Sequence, residues 1–260
     1  MPELIEVEAY RRLAERALGR PVAEVVAPDA WYLKAGLTAA ALAAALTGRS
    51  FAAARRTGKL LLLDTDDQGP TVGLRFGMTG RLLVDLSAGD DERRHAGWMG
   101  QEAWDRVTLR FDDGGDLRIR DPRRLGGVLL DPDESRLGID ATLLTLGQLR
   151  TALMSDAPLK ARLMDQARLA GLGNLLVDEV LYRAGLDPAR RARSLSDAEQ
   201  RRLHRRLRAT VVELERRGGS HTGDHMTARV RGGLCPKDGT PMLRRTVGGR
   251  TTWSCPAHQR

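Results

Sequence analysis

Cysteine is nearly absent from this 260-residue chain: Cys235 and Cys255 are the only two. Such a pair cannot build the disulfide framework of a small secreted domain, and in a reducing compartment metal ligation is the better use of two thiols. Lysine is almost as scarce, confined to Lys34, Lys59, Lys160 and Lys237, so that nearly every basic residue is an arginine. Arginine's planar fork suits phosphate, but an alanine- and arginine-rich sequence is also what a GC-rich genome writes, so the preference alone identifies no partner. No apolar run approaches the ~18 residues of a membrane span, and no secretory hydrophobic region follows Met1. The expectation is an intracellular, nucleoid-associated cytoplasmic protein without a membrane partner. There is no internal repeat and no low-complexity tract.

What is present is positive charge. A formal net charge of +8 and a pI near 10.2 point to a polyanionic partner. The chain is long enough for one large domain or two ordinary ones.

The stretch with the most chemistry is the first one, Met1-Pro2-Glu3-Leu4-Ile5-Glu6-Val7-Glu8. If Met1 is removed, Pro2 becomes a terminal secondary amine, and an α-amino group loses its proton near pH ~8, against ~10.4 for lysine. Such an amine can attack a sugar carbon and form an iminium, and Glu3 beside it can give and take protons. Taken alone, Met-Pro-Glu also reads as a plain helix start, since proline fits the first helical turn.

Apolar spacing predicts a helix over 3–18 and a short one over 38–47, with strands at 21–26, 51–57, 60–65, 72–76, 81–86, 106–111, 117–120 and 128–130. Short strands at this spacing predict a β-sandwich, and the Gly-, Asp- and Arg-rich stretch 87–101 predicts a mobile surface loop. Beyond Asp131 the periodicity turns helical at 145–155, 159–166, 174–184 and 196–217. The predicted class is therefore α+β, with a β-sandwich flanked by helices over 1–131, a helical domain over 132–219 and a terminal hairpin over 220–260. The arginine run from Arg190 to Arg208 reads as a solvated helix face or as a nucleic-acid contact.

Two further motifs carry alternatives. Gly171-Leu172-Gly173-Asn174 joins two predicted helices, either as a phosphate-binding turn at a helix start or as an ordinary helical hairpin. Cys235-Pro-Lys-Asp238 and Cys255-Pro-Ala-His258 are ligand pairs with the spacing of a zinc ribbon. A metal-free hairpin is the other reading, and an aspartate is a harder ligand than such sites usually employ. Between the pairs, Val247-Gly248-Gly249-Arg250 reads as a hairpin turn with an arginine near its tip.

Pro2-Glu3-Leu4, Thr57-Gly58-Lys59, Gly77-Met78-Thr79-Gly80, Asp121-Pro-Arg-Arg-Leu-Gly126, the segment from Asp165 to Pro188 and the terminal hairpin occur in one order along the chain. In that order the whole chain resembles the formamidopyrimidine-DNA glycosylase/endonuclease VIII family, closer to the formamidopyrimidine branch. The resemblance implies a monomer acting on double-stranded DNA with a damaged base or abasic site, as a glycosylase that excises the base and nicks the strand by β/δ-elimination. Carried over, Pro2 is the nucleophile, Glu3 the proton shuttle and Lys59 a phosphate-contacting catalytic residue. Met78 and Arg123, with Arg124 and Leu125 beside them, fill the gap left by the flipped nucleotide, while Lys160, Asn174 and Arg250 bind DNA. One structural zinc is held by Cys235, Asp238, Cys255 and His258.

Departures from the family pattern are Ile5 for a usual proline, Leu125 for an aromatic wedge, and Asp238 and His258 for two zinc cysteines. Loss of the ring predicts weaker intercalation, since stacking on a base contributes roughly 1–3 kcal/mol. These departures also suit a second reading, a non-catalytic damage-binding protein on the same scaffold; retention of Pro2 and Glu3 favours the enzyme. The connection from Ser220 to Leu234 is too short for a full lid over a flipped base, which predicts weak excision of 8-oxoguanine.

Overall fold

The computed structural model describes residues 2–66, 68–88 and 101–260. The expected mobile loop over 87–101 falls mostly on residues 89–100, outside the described ones. The chain divides into two compact units, 1–134 and 135–260.

The first unit opens with α1 (Leu4–Ala14), whose buried face of Leu4, Ile5, Val7, Tyr10, Leu13 and Ala14 follows the helical period. Its strands are β1 (Val22–Val26), β2 (Phe51–Thr57), β3 (Leu60–Thr65), β4 (Thr71–Arg75), β5 (Arg81–Val84), β6 (Asp105–Phe111), β7 (Asp116–Arg120) and β8 (Gly127–Leu130). They form two antiparallel four-stranded sheets, ordered β1-β6-β7-β5 and β2-β3-β4-β8. Inward residues of both sheets, among them Leu61, Leu63, Leu74, Leu82, Val107, Leu109 and Ile119, share one core with Tyr10 and Leu13 of α1. That core also takes Leu42 and Leu46 of α2 (Ala39–Leu46), which Thr38 caps by accepting from the Ala41 amide at 3.1 Å. The β-sandwich expected from the short strands is present, flanked by helices.

In the second unit α3 (Leu146–Leu153), α4 (Leu159–Leu163), α5 (Asn174–Ala184) and α6 (Asp197–Arg216) precede a hairpin of β11 (Leu243–Val247) and β12 (Arg250–Ser254). A short parallel pair, β9 (Ile139–Asp140) with β10 (Leu169–Ala170), carries no sequence signal at two residues a strand. Capping boxes start α3 at Thr145 and α6 at Ser196, and Gly185, at φ +65°, ends α5. Reading the sequence separates the helices from the hairpin, but the structure places both in one unit. Tyr182 of α5 packs with Cys235, Met242, Trp253 and Cys255 in a single buried cluster.

Candidate active site and metal centre

Pro2 and Glu3 are both buried at the start of α1. The carboxylate of Glu6 accepts from the Glu3 amide at 2.9 Å, and the Glu3 side chain turns back on the Glu6 amide, a capping box that fixes the geometry of the chain's first residues. Helix α1 packs on β2 and β3, where Lys59 sits half-buried in the turn between them. Gly58, at φ +60°, takes the first position of that two-residue turn, as a type II′ hairpin requires. Arg56 links helix to turn: its guanidinium contacts Glu8 at 3.1 Å and donates to the Gly58 carbonyl at 2.9 Å. No motif marks Arg56 in the sequence.

Met78, Arg123 and Leu125 stand exposed on two neighbouring loops. Asp121, fully buried, joins those loops: it accepts from the Thr79 hydroxyl at 2.5 Å, the Arg123 amide at 3.2 Å and the Gly126 amide at 2.9 Å. The backbone at Gly77 lies so close to Leu125 that an added Cβ would come within 2.5 Å of the Leu125 carbonyl. Arg124, at φ +56°, points elsewhere and grips Asp29 through two hydrogen bonds of 2.6 and 2.7 Å, which hold the Asp29 carboxyl below its ordinary pKa.

In the second unit Gln166 shapes the turn between α4 and α5. Its amide donates to the Met164 and Leu172 carbonyls at 2.7 and 2.9 Å, and its carbonyl accepts from Gly171 at 3.0 Å. Asn174 is thereby placed at the first position of α5, at the positive end of the helix dipole. Gly248 and Gly249, at φ +57° and +73°, form a type I′ turn that puts Arg250 on the surface at the start of β12. An added Cβ on Gly248 would lie 2.6 Å from that of Ala161, so the hairpin tip rests directly on α4.

Lys160, expected from the resemblance to bind DNA, is placed inside the second unit. It is 0% exposed and pairs with Asp178, also 0% exposed, at 2.7 Å. It further donates to the Thr251 carbonyl at 3.1 Å and the Thr252 hydroxyl at 2.8 Å. Asp178 pairs in turn with Arg229. The ammonium is turned inward onto that carboxylate and ties α4 and α5 to the strand that begins with Arg250.

One ligand atom each from Cys235, Asp238, Cys255 and His258 lies within 4.8 Å of the other three, and no disulfide joins the two cysteines. Cys255 Sγ and His258 Nδ1 are each 3.3 Å from Asp238 Oδ2, and Cys235 Sγ is 3.6 Å from His258 Nδ1. A tetrahedral site with bonds of ~2.0–2.3 Å has edges of roughly 3.3–3.8 Å, so these four residues fit a metal ion. Their orientation is fixed from outside: Asp238 Oδ1 accepts from the Thr240 amide at 2.9 Å, and His258 Nε2 faces the Tyr182 carbonyl at 3.3 Å, leaving Nδ1 for the ion.

The family models for the formamidopyrimidine-DNA glycosylase N-terminal domain and its H2TH domain match residues 1–128 and 137–224. The chain belongs to the formamidopyrimidine-DNA glycosylase family. A glycosylase of this family from Paracoccus denitrificans is 36% identical over 292 aligned positions, covering 100% of each chain. One from Thermus thermophilus is 35% identical over 100% of this chain and 98% of its own. The Lactococcus lactis member, solved with DNA containing an oxidised pyrimidine, superposes with a TM-score of 0.82 at 26% identity over the full length of both chains. The Paracoccus alignment is longer than this chain's 260 residues, so that relative carries insertions. Within the family pattern, the sequence quotes Asp121 without disclosing its task, and it gives no sign of Asp178 or Tyr182, whose partners are distant along the chain.

Proposed function

We propose that this DNA glycosylase of base excision repair is bifunctional, coupling base removal to strand nicking through Pro2. The observation that carries the reading is the buried Pro2-Glu3 pair, fixed by the capping box and linked through Arg56 to the turn of Lys59. With Met1 removed, the Pro2 nitrogen attacks C1′ of the damaged nucleotide and the base leaves. Glu3 delivers a proton to the sugar oxygen as the ring opens, leaving an iminium between Pro2 and C1′. Loss of a C2′ proton then expels the 3′ phosphate, and a second elimination expels the 5′ phosphate. Lys59 contacts phosphate at the lesion, and Met78, Arg123 and Leu125 enter the vacated stack, offsetting part of the few kcal/mol that extrusion costs.

Asn174 and Arg250 hold the DNA backbone, and zinc is the metal that the four ligands take, in a closed structural site that organises the hairpin. Duplex DNA is the partner; relatives from Lactococcus lactis are solved with DNA carrying an abasic site or an oxidised pyrimidine. The connector from Ser220 to Leu234 is strapped down. Glu179 accepts from the Asp224 amide at 2.9 Å and meets His225 Nδ1 at 2.6 Å, and Ser220, His225 and Ala228 are buried. A segment so held makes a poor lid, so 8-oxoguanine should be excised more slowly than ring-opened purines, oxidised pyrimidines or bare abasic sites.

Borohydride trapping tests the mechanism. The protein should cross-link to abasic-site DNA through its N-terminal peptide, and Pro2→Gly should impair turnover. Undiminished trapping with an extra residue ahead of Pro2 would count decisively against Pro2 as the nucleophile, and a protein that binds abasic-site DNA without any trapping would favour the non-catalytic reading.

A further inference from the structure

Helix α6 carries a feature that neither the lesion chemistry nor the hairpin uses. Between Gln200 and Val212 it holds Arg201, Arg202, Arg205, Arg206 and Arg208 and no carboxylate. Its acids are kept to the ends, where Asp197 pairs with Arg150 and Arg201, Glu199 with Arg190, and Glu213 with Arg183 and Arg217. About half of this unit's arginines are paired with a carboxylate, whereas Arg205, Arg206 and Arg208 are exposed, lie together on one helix and form no salt bridge among the described residues.

Position follows from the helical period. Leu203, Leu207 and Leu214 are buried where α6 packs on α5 and α3. At about 100° per residue, positions 201, 205, 208 and 212 fall within about 40° of the direction opposite Leu203, and Val212 there is 67% exposed. Like charges three and four residues apart repel and weaken a helix, so an uncompensated cluster of this kind is stabilised by an anionic occupant. From 201 to 208 the face runs about 10 Å, the length over which one DNA strand presents about three phosphates. It points away from α5 and hence from Asn174.

We propose that the outer face of α6 is a second, sequence-independent site for the duplex DNA backbone, which holds another DNA segment while the lesion site is occupied. The inference rests on the reading of the chain as a DNA-binding protein but on none of its catalysis. To test it, the zinc-loaded full-length protein is saturated with a short duplex containing a stable abasic-site analogue and titrated with a labelled undamaged duplex. A ternary complex should form, weakening with salt at a log–log slope of about −0.9 per phosphate, so about −3 for three. The R205E/R208E variant should lose the second duplex and keep its affinity for the first, measured separately so that failure of the primary site is distinguishable. Absence of a second bound duplex, or one retained by the double variant, overturns the proposal and leaves a solvated face. Capture of a labelled polyglutamate peptide without any ternary DNA complex overturns it too, in favour of an acidic protein partner.

Discussion

The two units use buried charge in opposite ways. In the first, the carboxylate of Asp121 lies inside and the groups it organises, Met78 and Arg123, stand outside on loops. In the second, both members of the Lys160–Asp178 pair are inside, and what they organise is backbone. Lys59 and Lys160 show the same contrast between two identical side chains, one half-buried in a hairpin turn and the other without solvent access. What a basic residue does is decided by whether a carboxylate lies in its path to the surface.

The contrast can be broken by substitution. Glu3→Gln in the first unit should lower single-turnover base removal on the order of 10²–10⁴-fold, the usual contribution of a positioned acid–base group. Trapping at a pre-formed abasic site should suffer less. Equal losses in both assays would mean that the residue's chief task is capping α1.

Lys160→Met should do the reverse, leaving Asp178 buried with only Arg229 and costing about 3–5 kcal/mol in denaturant unfolding of the second unit. The double variant Lys160→Met/Asp178→Leu should recover much of that loss. Lys59→Ala should shift stability by less than about 0.5 kcal/mol while slowing excision, and a large stability loss there would erase the distinction between the two lysines.

Glu179 sharpens the comparison with pH. Burial pushes its carboxyl up, but the hydrogen bond and charge of His225, the Asp224 amide and Arg183 together bring it down to about 2. A depressed carboxylate stabilises the fold above its unfolded pKa and ceases to as pH falls through the folded one, a contribution of about 3 kcal/mol. Protection of the Asp224 and His225 amides, corrected for intrinsic exchange, should therefore decline from about pH 4.5 toward 2. Protection that is flat over this range would remove Glu179 as the strap of the connector.

One expected effect is a gain: Leu125→Trp should tighten lesion-duplex binding by about 1–3 kcal/mol by restoring a stacking ring. No gain in equilibrium titration would mean that Leu125 does not enter the stack.

Much of this was legible in the sequence because periodicity and turn chemistry are local. Phe51–Thr57 and Leu60–Thr65 were readable to the residue, as was Asn174–Ala184. The cluster of Cys235, Asp238, Cys255 and His258 was readable because its members come in two closely spaced pairs. Burial of Lys160 was not, since its partners Asp178, Thr251 and Thr252 lie far along the chain and only the fold brings them together. The same holds for Arg56, which meets Glu8 from 48 residues away. Asp121 stood in a recognisable motif, yet its role became visible only with the loop carrying Thr79 beside it.

Because one carboxylate fastens both the Met78 and Arg123 loops, and Gly77 leaves no slack against Leu125, the two side chains cannot search for the vacated stack independently. Under the proposed mechanism their insertion should be a single concerted event in time. A fluorescent base analogue placed on either strand next to the lesion should report the same relaxation rate, and Thr79→Val, by freeing one loop from the other, should split that one phase into two.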